Sequence, residues 1–232
     1  MNKMYFVVPC YNEAQIINKT ARVLKDLIEA LKNEKMIGNG KILFVNDKST
    51  DKTKEILQKL SSENCEFISM KKNSGQQKAI LAGLKHVYKK CDFAITLDCD
   101  LQDDTEKIKE MIYLYLKGNE IVYGVRNDRK SDTKIKRITA ELYYFILRLI
   151  DKSTVKNHGD FRLMSSNAMK KTIENSAQFP YLRGIAPKLK LKSDYVYYTR
   201  KKRMQGKSKY NIRKMLYLAF CGFYTAFLKI KY

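Results

Sequence analysis

Short apolar runs alternate with longer amphipathic segments through the first half of the chain. The apolar runs are expected to form buried strands, and they occupy residues 5–9, 42–46, 65–70, 92–97 and 120–125. Between the first two runs, apolar side chains recur at helical spacings of three and four, at Ile16, Val23, Leu24, Leu27, Ile28 and Leu31. Strands that alternate with such helices predict an α/β, Rossmann-like fold, with a twisted and mainly parallel sheet flanked by helices.

The second half of the chain has a weaker pattern. Residues 133–150 are expected to be helical, and residues 160–164 resemble a short strand. With three prolines, no repeat and no low-complexity tract, nothing marks a linker. We therefore expect one domain over residues 1–211 and a separate amphipathic helix over residues 212–232.

That final segment carries an apolar stripe flanked by basic residues. Its uncharged stretch, residues 215–228, is shorter than the roughly 20 residues needed to span a bilayer. The pattern is typical of a helix that lies in a membrane interface, and the basic run at residues 200–203 would add attraction to anionic lipid. The alternative is a helix that docks on the core of its own domain, because periodicity does not identify what covers the stripe.

Composition narrows the class of partner. Forty-six Lys and Arg residues against 24 Asp and Glu residues give a formal net charge of +22, which favours a polyanionic partner. No helix-turn-helix, zinc-finger or RNP signature is present, so we expect no nucleic acid. The five cysteines form no C-x-x-C pair, as expected of reduced thiols in the cytosol.

Acidic residues follow the fourth apolar run, where ligands bind in open α/β sheets. Asp98 and Asp100 are two positions apart on the expected turn, so that their carboxylates can converge on a hard divalent cation. Asp103 and Asp104 fit either such a site or the cap of the next helix. After the second run, Asp47 would lie at the same edge and accept hydrogen bonds from a base or ribose, whereas Asp51 suits a helix cap.

Seven motifs in this order resemble the inverting family 2 glycosyltransferases, in particular the polyprenyl-phosphate and dolichyl-phosphate branch. They are PCYNE, VNDKSTD, NSGQQKAI, LDCDLQDD, GVR, GDFRLMS and RMQGKSKYN, and the likeness extends over residues 7–231. The resemblance implies a fold of the glycosyltransferase A type. It also implies a nucleotide site at Pro9, Tyr11, Glu13, Val45, Asp47, Lys78, Asp98 and Cys99. A Mg²⁺ or Mn²⁺ ion would be held by Asp98, Asp100 and Gln102.

The same resemblance implies an acceptor-phosphate site. Its residues would be Arg126, Arg137, Arg203, Ser208 and Lys209, and those closest to the chemistry would be Asp100, Asp160, Arg126 and Arg203. A hydroxyl acceptor needs a general base to remove its proton, whereas a phosphate monoester is already largely ionised at neutral pH. Asp160 would therefore either act as a base or, with a phosphate acceptor, orient the sugar or the acceptor. The alternative for Asp160 is a structural salt bridge with Arg162.

These features predict a metal-dependent, inverting hexosyltransferase. A nucleotide diphosphate sugar would be the donor, and a polyprenyl or dolichyl phosphate would be the acceptor, at the cytoplasmic face of the cell membrane during cell-envelope assembly. The chain would bind an anionic membrane surface peripherally or use a separate membrane protein. The alternative is a family 2 enzyme that acts on a saccharide hydroxyl in capsule or lipopolysaccharide assembly. The absence of Trp excludes the Q-x-x-R-W motif of processive synthases.

Overall fold

A computed structural model describes residues 1–127, 146–176, 181–201, 212–228 and 230, with the backbone alone for residues 212–219. Within these residues the strands form one seven-stranded sheet in the order β3-β2-β1-β4-β6-β5-β7. The strands are β1 (Lys3–Cys10), β2 (Asn39–Asn46), β3 (Cys65–Ser69), β4 (Phe93–Thr96), β5 (Ile121–Arg126), β6 (His158–Ser165) and β7 (Ser193–Tyr198).

Strand direction brings many chain segments to one edge of the sheet. β1 pairs in parallel with β2 and β4, and β2 with β3. β6 is antiparallel to both β4 and β5, while β7 is parallel to β5. β6 therefore runs against the other six strands, and its first residues lie beside the last residues of its neighbours. The expected twisted, mainly parallel sheet is confirmed.

Helices cover both faces of this sheet. They are α1 (Ile17–Asn33), α2 (Thr53–Leu60), α3 (Gln76–Val87), α4 (Ile108–Leu116), α5 (Ser166–Asn175), α6 (Leu182–Lys188) and α7 (Ile212–Phe227). Alternate residues of β1 face opposite layers, as the pleat requires. Phe6 packs in the cluster that includes Leu24 of α1, and Val7 packs in the one that includes Leu84 of α3. Burial on both faces explains the continuous apolar strand sequences.

The predicted strand at residues 160–164 lies within the longer β6. Of the helix expected over residues 133–150, only residues 146–150 lie in the described part of the chain, and they are helical. The sequence pattern did not reveal α5, α6 or β7. These elements are short, and α6 contains Pro187, which obscures helical periodicity.

Helix α7 packs on the domain through one face. Cys221 and Thr225 are buried, whereas Phe220 is 61% and Phe227 is 73% exposed. Gly184 of α6 permits this contact, because a Cβ at that position would lie 2.7 Å from Cγ2 of Thr225. The Lys188 ammonium donates to the carbonyl oxygens of Thr225, Ala226 and Leu228 and so stabilises the end of the helix.

Candidate active site

Most of the described polar residues singled out from the sequence lie at one edge of the sheet. We call it the carboxyl edge, and it comprises residues 10–13, 46–51, 97–104, 126, 158–160 and 198–201. The first four groups end or follow the parallel strands β1, β2, β4 and β5, and residues 198–201 end or follow β7. Residues 158–160 begin the antiparallel β6. Because β6 is reversed, Asp160 is brought to the same edge as Asp98, although the two residues are far apart in sequence.

Asp47 holds the loop that leads into α3. Its two carboxylate oxygens accept hydrogen bonds from the backbone amides of Ser74 and Gly75, each at 2.8 Å. Gly75 has a φ of 89°, a conformation that costs glycine little. Asp47 is buried, so its role in this structure is to order the start of α3, and the predicted contact with a nucleoside remains a prediction.

Asn12 joins the exits of β1 and β2. Its side-chain amide nitrogen donates to Oγ1 of Thr50 at 3.1 Å, and its side-chain oxygen accepts from the Thr50 amide at 2.8 Å. Beside it, Tyr11 and Glu13 are half-buried, and the Glu13 amide donates to Oγ1 of Thr53 at 2.8 Å. Pro9 and Val45 are buried partners in the β1–β2 register. These contacts fix the two strand exits where a nucleotide is expected.

Asp98 lies at the centre of a crowded group of carboxylates. Its Oδ1 accepts from Nε2 of Gln76 at 2.7 Å, and its Oδ2 lies 3.1 Å from Nη2 of Arg200. Burial, followed by the negative charges of Asp103, Asp160 and Asp100, raises the pKa of Asp98 to about 7, although Arg200 opposes that rise. Among the described residues, Arg200 is the cation paired with Asp98, and three further carboxylates add negative charge around it.

Asp100 is buried two residues further on, and the turn is held by Leu101 in a left-handed conformation with a φ of 53°. Oδ1 of Asp100 accepts from the Gln102 amide at 3.2 Å, and its Oδ2 lies 3.9 Å from Nη2 of Arg200. The Gln102 side-chain amide donates to the carbonyl oxygen of Lys201 at 2.9 Å. Cys99 is buried between the two aspartates.

The two alternatives for the following aspartates are resolved separately. Asp104 caps a short 3-10 helix, Thr105–Lys107, by accepting from the Glu106 amide. Asp103 instead belongs to the site, because its Oδ2 accepts from the Asp98 amide at 3.1 Å and its Oδ1 from the Tyr198 hydroxyl at 2.7 Å. As expected, Asp51 serves the start of α2 by accepting from the Thr53 amide at 2.9 Å.

Asp160 is surrounded by donors. Arg183 binds it through Nε and Nη2 at 2.9 and 2.8 Å, and Gln76 and Gln77 donate from their side-chain amides at 3.0 and 2.8 Å. Burial by itself would raise the pKa of Asp160, but the Arg183 charge and the hydrogen bonds from Arg183 and Gln77 outweigh it and lower the pKa below its usual range. The ion pair of Asp160 is therefore with Arg183.

The alternative prediction, an ion pair between Asp160 and Arg162, is not observed among the described residues. Arg162 is almost fully buried, donates to the carbonyl oxygens of Leu182 and Gly159, and has its guanidinium 5.2 Å from the centre of the Tyr123 ring. His158 is likewise buried, with its ring nitrogens 2.7 Å from the Val155 carbonyl oxygen and 3.0 Å from that of Arg183. Burial and the nearby Arg162 charge lower the pKa of His158 to about 3.

Arg126 ends β5 and contacts the other side of this group. Its Nε lies 3.4 Å from the Tyr198 hydroxyl, which in turn donates to Asp103. Burial would lower the pKa of Arg126, but Tyr198 and Asp103 raise it, so the guanidinium stays charged. A cavity of about 600 Å³ opens beside Arg126. Its wall includes the basic residues Arg148, Lys152 and Lys156 and the side chains of Tyr195 and Tyr197.

The remaining predicted residues are not brought into this group. Lys78 is exposed on the first turn of α3. Arg137, Arg203, Ser208 and Lys209 lie outside the described residues.

Sequence reasoning missed several residues that complete the site. They are Asn12, Gln77, Arg183, Tyr198 and Arg200. Asn12 lies in the PCYNE motif and Gln77 in the NSGQQKAI motif, so their place in these motifs could have identified them as site residues. Arg183 and Arg200 are two cations among 46, and only the reversal of β6 and the pairing of β7 bring them to the carboxyl edge.

The carboxylates of Asp98 and Asp100 fit a divalent cation. Both face the same guanidinium of Arg200, so they already converge on one positive charge, and oxygen ligands are those that Mg²⁺ and Mn²⁺ prefer. No group of three or more His, Cys, Asp or Glu side chains among the described residues is arranged to hold a metal. A cation here would therefore need further oxygen ligands, such as those of a diphosphate.

The mainly parallel sheet flanked by helices is an α/β fold of the glycosyltransferase A type. Residues 5–173 match the family model described as Glycosyl transferase family 2. The chain belongs to this family, and the predicted class of enzyme is confirmed.

Curated relatives agree with this assignment. The chain is 41% identical over 93% of its length to the uncharacterized glycosyltransferase YkoT of Bacillus subtilis, and it spans 65% of that protein. It is 34% identical over 95% of its length to a prophage bactoprenol glucosyl transferase homolog of Escherichia coli, of which it spans 71%. The bactoprenol glucosyl transferase of Shigella phage SfV is 33% identical over the same share, with 70% of its length spanned. These relatives confirm the predicted resemblance to the polyprenyl-phosphate branch of the family.

Solved structures share the fold at low sequence identity. Glucosyl-3-phosphoglycerate synthase of Mycobacterium tuberculosis, solved with Mn²⁺, uridine-diphosphate-glucose and phosphoglyceric acid, aligns with a TM-score of 0.63 at 12% identity. That alignment covers 97% of this chain and 78% of the synthase. TarS 1–349 of S. aureus in complex with UDP aligns with a TM-score of 0.56 at 18% identity, over 98% of this chain and 67% of that fragment. Among the described residues, no helix combines the length and apolar character required to cross a bilayer.

Proposed function

We propose that this chain transfers a sugar from a nucleotide diphosphate sugar to a polyprenyl phosphate at a membrane surface. The observation that carries the proposal is the pair of carboxylates, Asp98 and Asp100, that converge at the exit of β4. The names of the relatives, bactoprenol glucosyl transferase, favour a lipid phosphate over a saccharide hydroxyl as the acceptor.

The exits of β1 and β2 would hold the nucleoside of the donor. Pro9 and Val45 are buried partners at these exits, Asp47 orders the start of α3 beside them, and Tyr11 and Glu13 are half-buried. The bound UDP of TarS and uridine-diphosphate-glucose of the mycobacterial synthase make uridine nucleotides the first donors to test. Lys78, on the exposed first turn of α3, and Cys99 would lie further along the same nucleotide.

Asp98 and Asp100, with Gln102, would hold Mg²⁺ or Mn²⁺. When bound, such a cation stabilises the negative charge that develops on the leaving nucleotide diphosphate. The surplus negative charge around Asp98 supports this assignment, because a divalent cation would neutralise what Arg200 leaves unbalanced. Attack on the anomeric carbon from the side opposite the diphosphate inverts the configuration of the sugar.

Arg126 would bind the acceptor phosphate, and the adjoining basic cavity would attract it. Arginine can place an anionic nucleophile beside an anionic donor without prohibitive repulsion, since the guanidinium charge offsets both. We assign the same role to Arg137, Arg203, Ser208 and Lys209 because they stand in or near the GVR and RMQGKSKYN motifs.

Helix α7 would bring the site to the membrane. Its buried face packs on α6, whereas Phe220, Tyr224 and Phe227 are exposed and available for an interface. We propose that these rings enter the headgroup region of an anionic membrane on the cytoplasmic side, with nearby Lys and Arg residues adding electrostatic attraction. A separate membrane protein would be an additional partner.

The direct test is a product assay. The chain would be incubated with UDP-glucose or another nucleotide sugar, Mn²⁺ or Mg²⁺, and either polyprenyl phosphate or a free oligosaccharide, and products would be identified by mass spectrometry. We expect a glycosylated lipid phosphate that fails to form when chelator is in excess. Transfer to the oligosaccharide alone would favour capsule or lipopolysaccharide chemistry instead.

Membrane binding has its own test, by cosedimentation with anionic and neutral vesicles. Phe220→Ser with Phe227→Ser should weaken binding to anionic vesicles, because the exposed rings provide apolar burial. Tyr113→Ser, which changes an exposed aromatic residue of α4, is the matched control. If the Phe220/Phe227 variant binds as well as the parent chain, α7 does not enter the membrane.

A further inference from the structure

The carboxylate of Asp160 has no oxygen to spare. Its Oδ1 accepts from Nε2 of Gln77 at 2.8 Å and from Nε of Arg183 at 2.9 Å. Its Oδ2 accepts from Nε2 of Gln76 at 3.0 Å and from Nη2 of Arg183 at 2.8 Å. Each oxygen accepts from two donors, and the Arg183 guanidinium donates one hydrogen bond to each of them. These four bonds stabilise the ionised form of Asp160 strongly.

These donors are themselves anchored. Oε1 of Gln77 accepts from the Leu182 amide at 3.0 Å, which joins the first turn of α3 to the first turn of α6. The carbonyl oxygen of Arg183 lies 3.0 Å from Nε2 of His158 on β6. The group therefore connects β6, α3 and α6, and Asp160 could not turn towards a substrate without breaking several of these bonds.

Gln76 connects this group to the proposed donor site. Its single side-chain amide nitrogen donates to Oδ2 of Asp160 and, at 2.7 Å, to Oδ1 of Asp98. One NH₂ group has two protons, so each carboxylate receives one of them. The orientation of Asp98 thus depends on where Asp160 holds Gln76.

We propose that Asp160 and Arg183 are a positioning pair that acts through Gln76 to orient Asp98, and that Asp160 takes no proton from the acceptor. The inference rests on the proposed function and assigns a role to each member of the group. A general base must have an oxygen within reach of the proton it removes. Without a general base, the nucleophile must already be ionised, as a phosphate monoester is at neutral pH.

The test is a double-mutant cycle of Asp160→Asn, Arg183→Gln and both together. The glutamine amide nitrogen occupies the place of the arginine Nε in the side chain, so the double variant can form a neutral hydrogen bond without leaving a charge unpaired. We expect Mn²⁺-dependent UDP binding, measured by calorimetry, to weaken about tenfold or more in Asp160→Asn and to recover by at least about threefold in the double variant.

Transfer should follow binding in the same cycle. If Asp160 were a general base, Asp160→Asn would retain UDP affinity, lose transfer, and gain nothing from Arg183→Gln. That pattern would overturn the proposal. Calorimetry does not involve the acceptor, so failure of the parent chain to glycosylate polyprenyl phosphate would defeat the proposed function and leave this test intact.

Two neighbouring glutamines provide a matched pair that does not alter either charge. Gln76→Met removes the bond to Asp98 and one bond to Asp160, whereas Gln77→Met removes bonds to Asp160 and Leu182 only. We expect Gln76→Met to raise the KM for the donor several-fold more than Gln77→Met does, even if both lower thermal stability equally. Equal KM values for the two variants would contradict a path through Gln76. This pair also keeps the proposal testable if Asp160→Asn does not fold.

Discussion

The exits of β4 and the start of β6 each present a buried or half-buried aspartate at the carboxyl edge, and the two are balanced in opposite ways. Among the described residues, Asp98 has three other carboxylates and the guanidinium of Arg200 near it, and burial and the negative charges raise its pKa to about 7. Asp160 is more deeply buried than Asp98, but Arg183 and the Gln77 amide lower its pKa below the usual range.

This difference indicates what each carboxylate is suited for. A group with unbalanced negative charge gains most from an added cation, and a perturbed pKa of this kind is common at functional sites. A fully paired carboxylate gains nothing from one and serves instead to fix the position of its partners. Five experiments would break or sharpen this comparison.

The largest effect is expected at the cation site. Asp100→Asn should lower turnover by at least about 10²-fold, because the loss of one carboxylate weakens a hard-cation site and the stabilisation of the leaving diphosphate. Steady-state kinetics with Mn²⁺ would measure it. Asp104→Asn is the matched control, since Asp104 belongs to the same loop but caps the 3-10 helix. Unchanged turnover in Asp100→Asn would refute the assignment of the cation site.

Replacing the two aspartates should change stability in opposite directions. Asp160→Asn should destabilise the fold by about 2 to 3 kcal/mol, because Arg183 would lose the partner of a largely buried pair. Asp98→Asn should stabilise it by about 1 to 2 kcal/mol at pH 8, while donor binding is lost. Urea unfolding measures both, and destabilisation by both substitutions would remove the contrast.

The pH dependence of the Asp98→Asn effect gives a sharper form of the same test. The folded-state pKa of Asp98 is raised from 3.8 to about 7, so the folded protein keeps a proton in that interval which the unfolded chain has lost. In the parent chain, stability contributed by this group therefore falls as pH rises from 3.8 to about 7. The gain from Asp98→Asn should grow over this window and stay constant above it.

A smaller effect is expected on the acceptor side. Arg126→Ala should reduce transfer to polyprenyl phosphate by about 10- to 100-fold and change UDP affinity much less, because this arginine contacts Tyr198 and borders the basic cavity. Arg203→Ala is expected to behave alike. Transfer assays and calorimetry on the same preparations separate the two quantities. An equal loss of UDP affinity and transfer would reassign Arg126 to the donor.

The smallest effect concerns Arg200, the cation already present beside Asp98. Arg200→Gln should tighten Mn²⁺ binding in the absence of nucleotide by about three- to tenfold, because a metal ion would no longer compete with a guanidinium for the two carboxylates. Manganese titration followed by electron paramagnetic resonance measures free Mn²⁺ directly. Lys107→Gln, which removes an exposed cation of the 3-10 helix, is the control. Weaker Mn²⁺ binding in Arg200→Gln would show that Arg200 orders the site for the metal.

The sequence by itself determined the parallel half of the sheet. Strands buried on both faces need continuous apolar runs, and the helices between them need a stripe, so β1 to β5 and α1 were predictable from local pattern. The acidic residues after those strands were predictable for the same reason, because parallel strand ends share one edge. The ordered motifs then pointed to the family, which the match over residues 5–173 confirms.

Only the tertiary structure decided how the charges are balanced. Arg183 reaches Asp160 because α6 begins beside the reversed strand β6, and Arg200 reaches Asp98 because β7 pairs in parallel with β5. The sequence pattern could not choose these two arginines from 46 cations, nor separate Asp103 from Asp104. Periodicity records which side chains are buried, whereas the pairing of charges depends on which distant strands become neighbours.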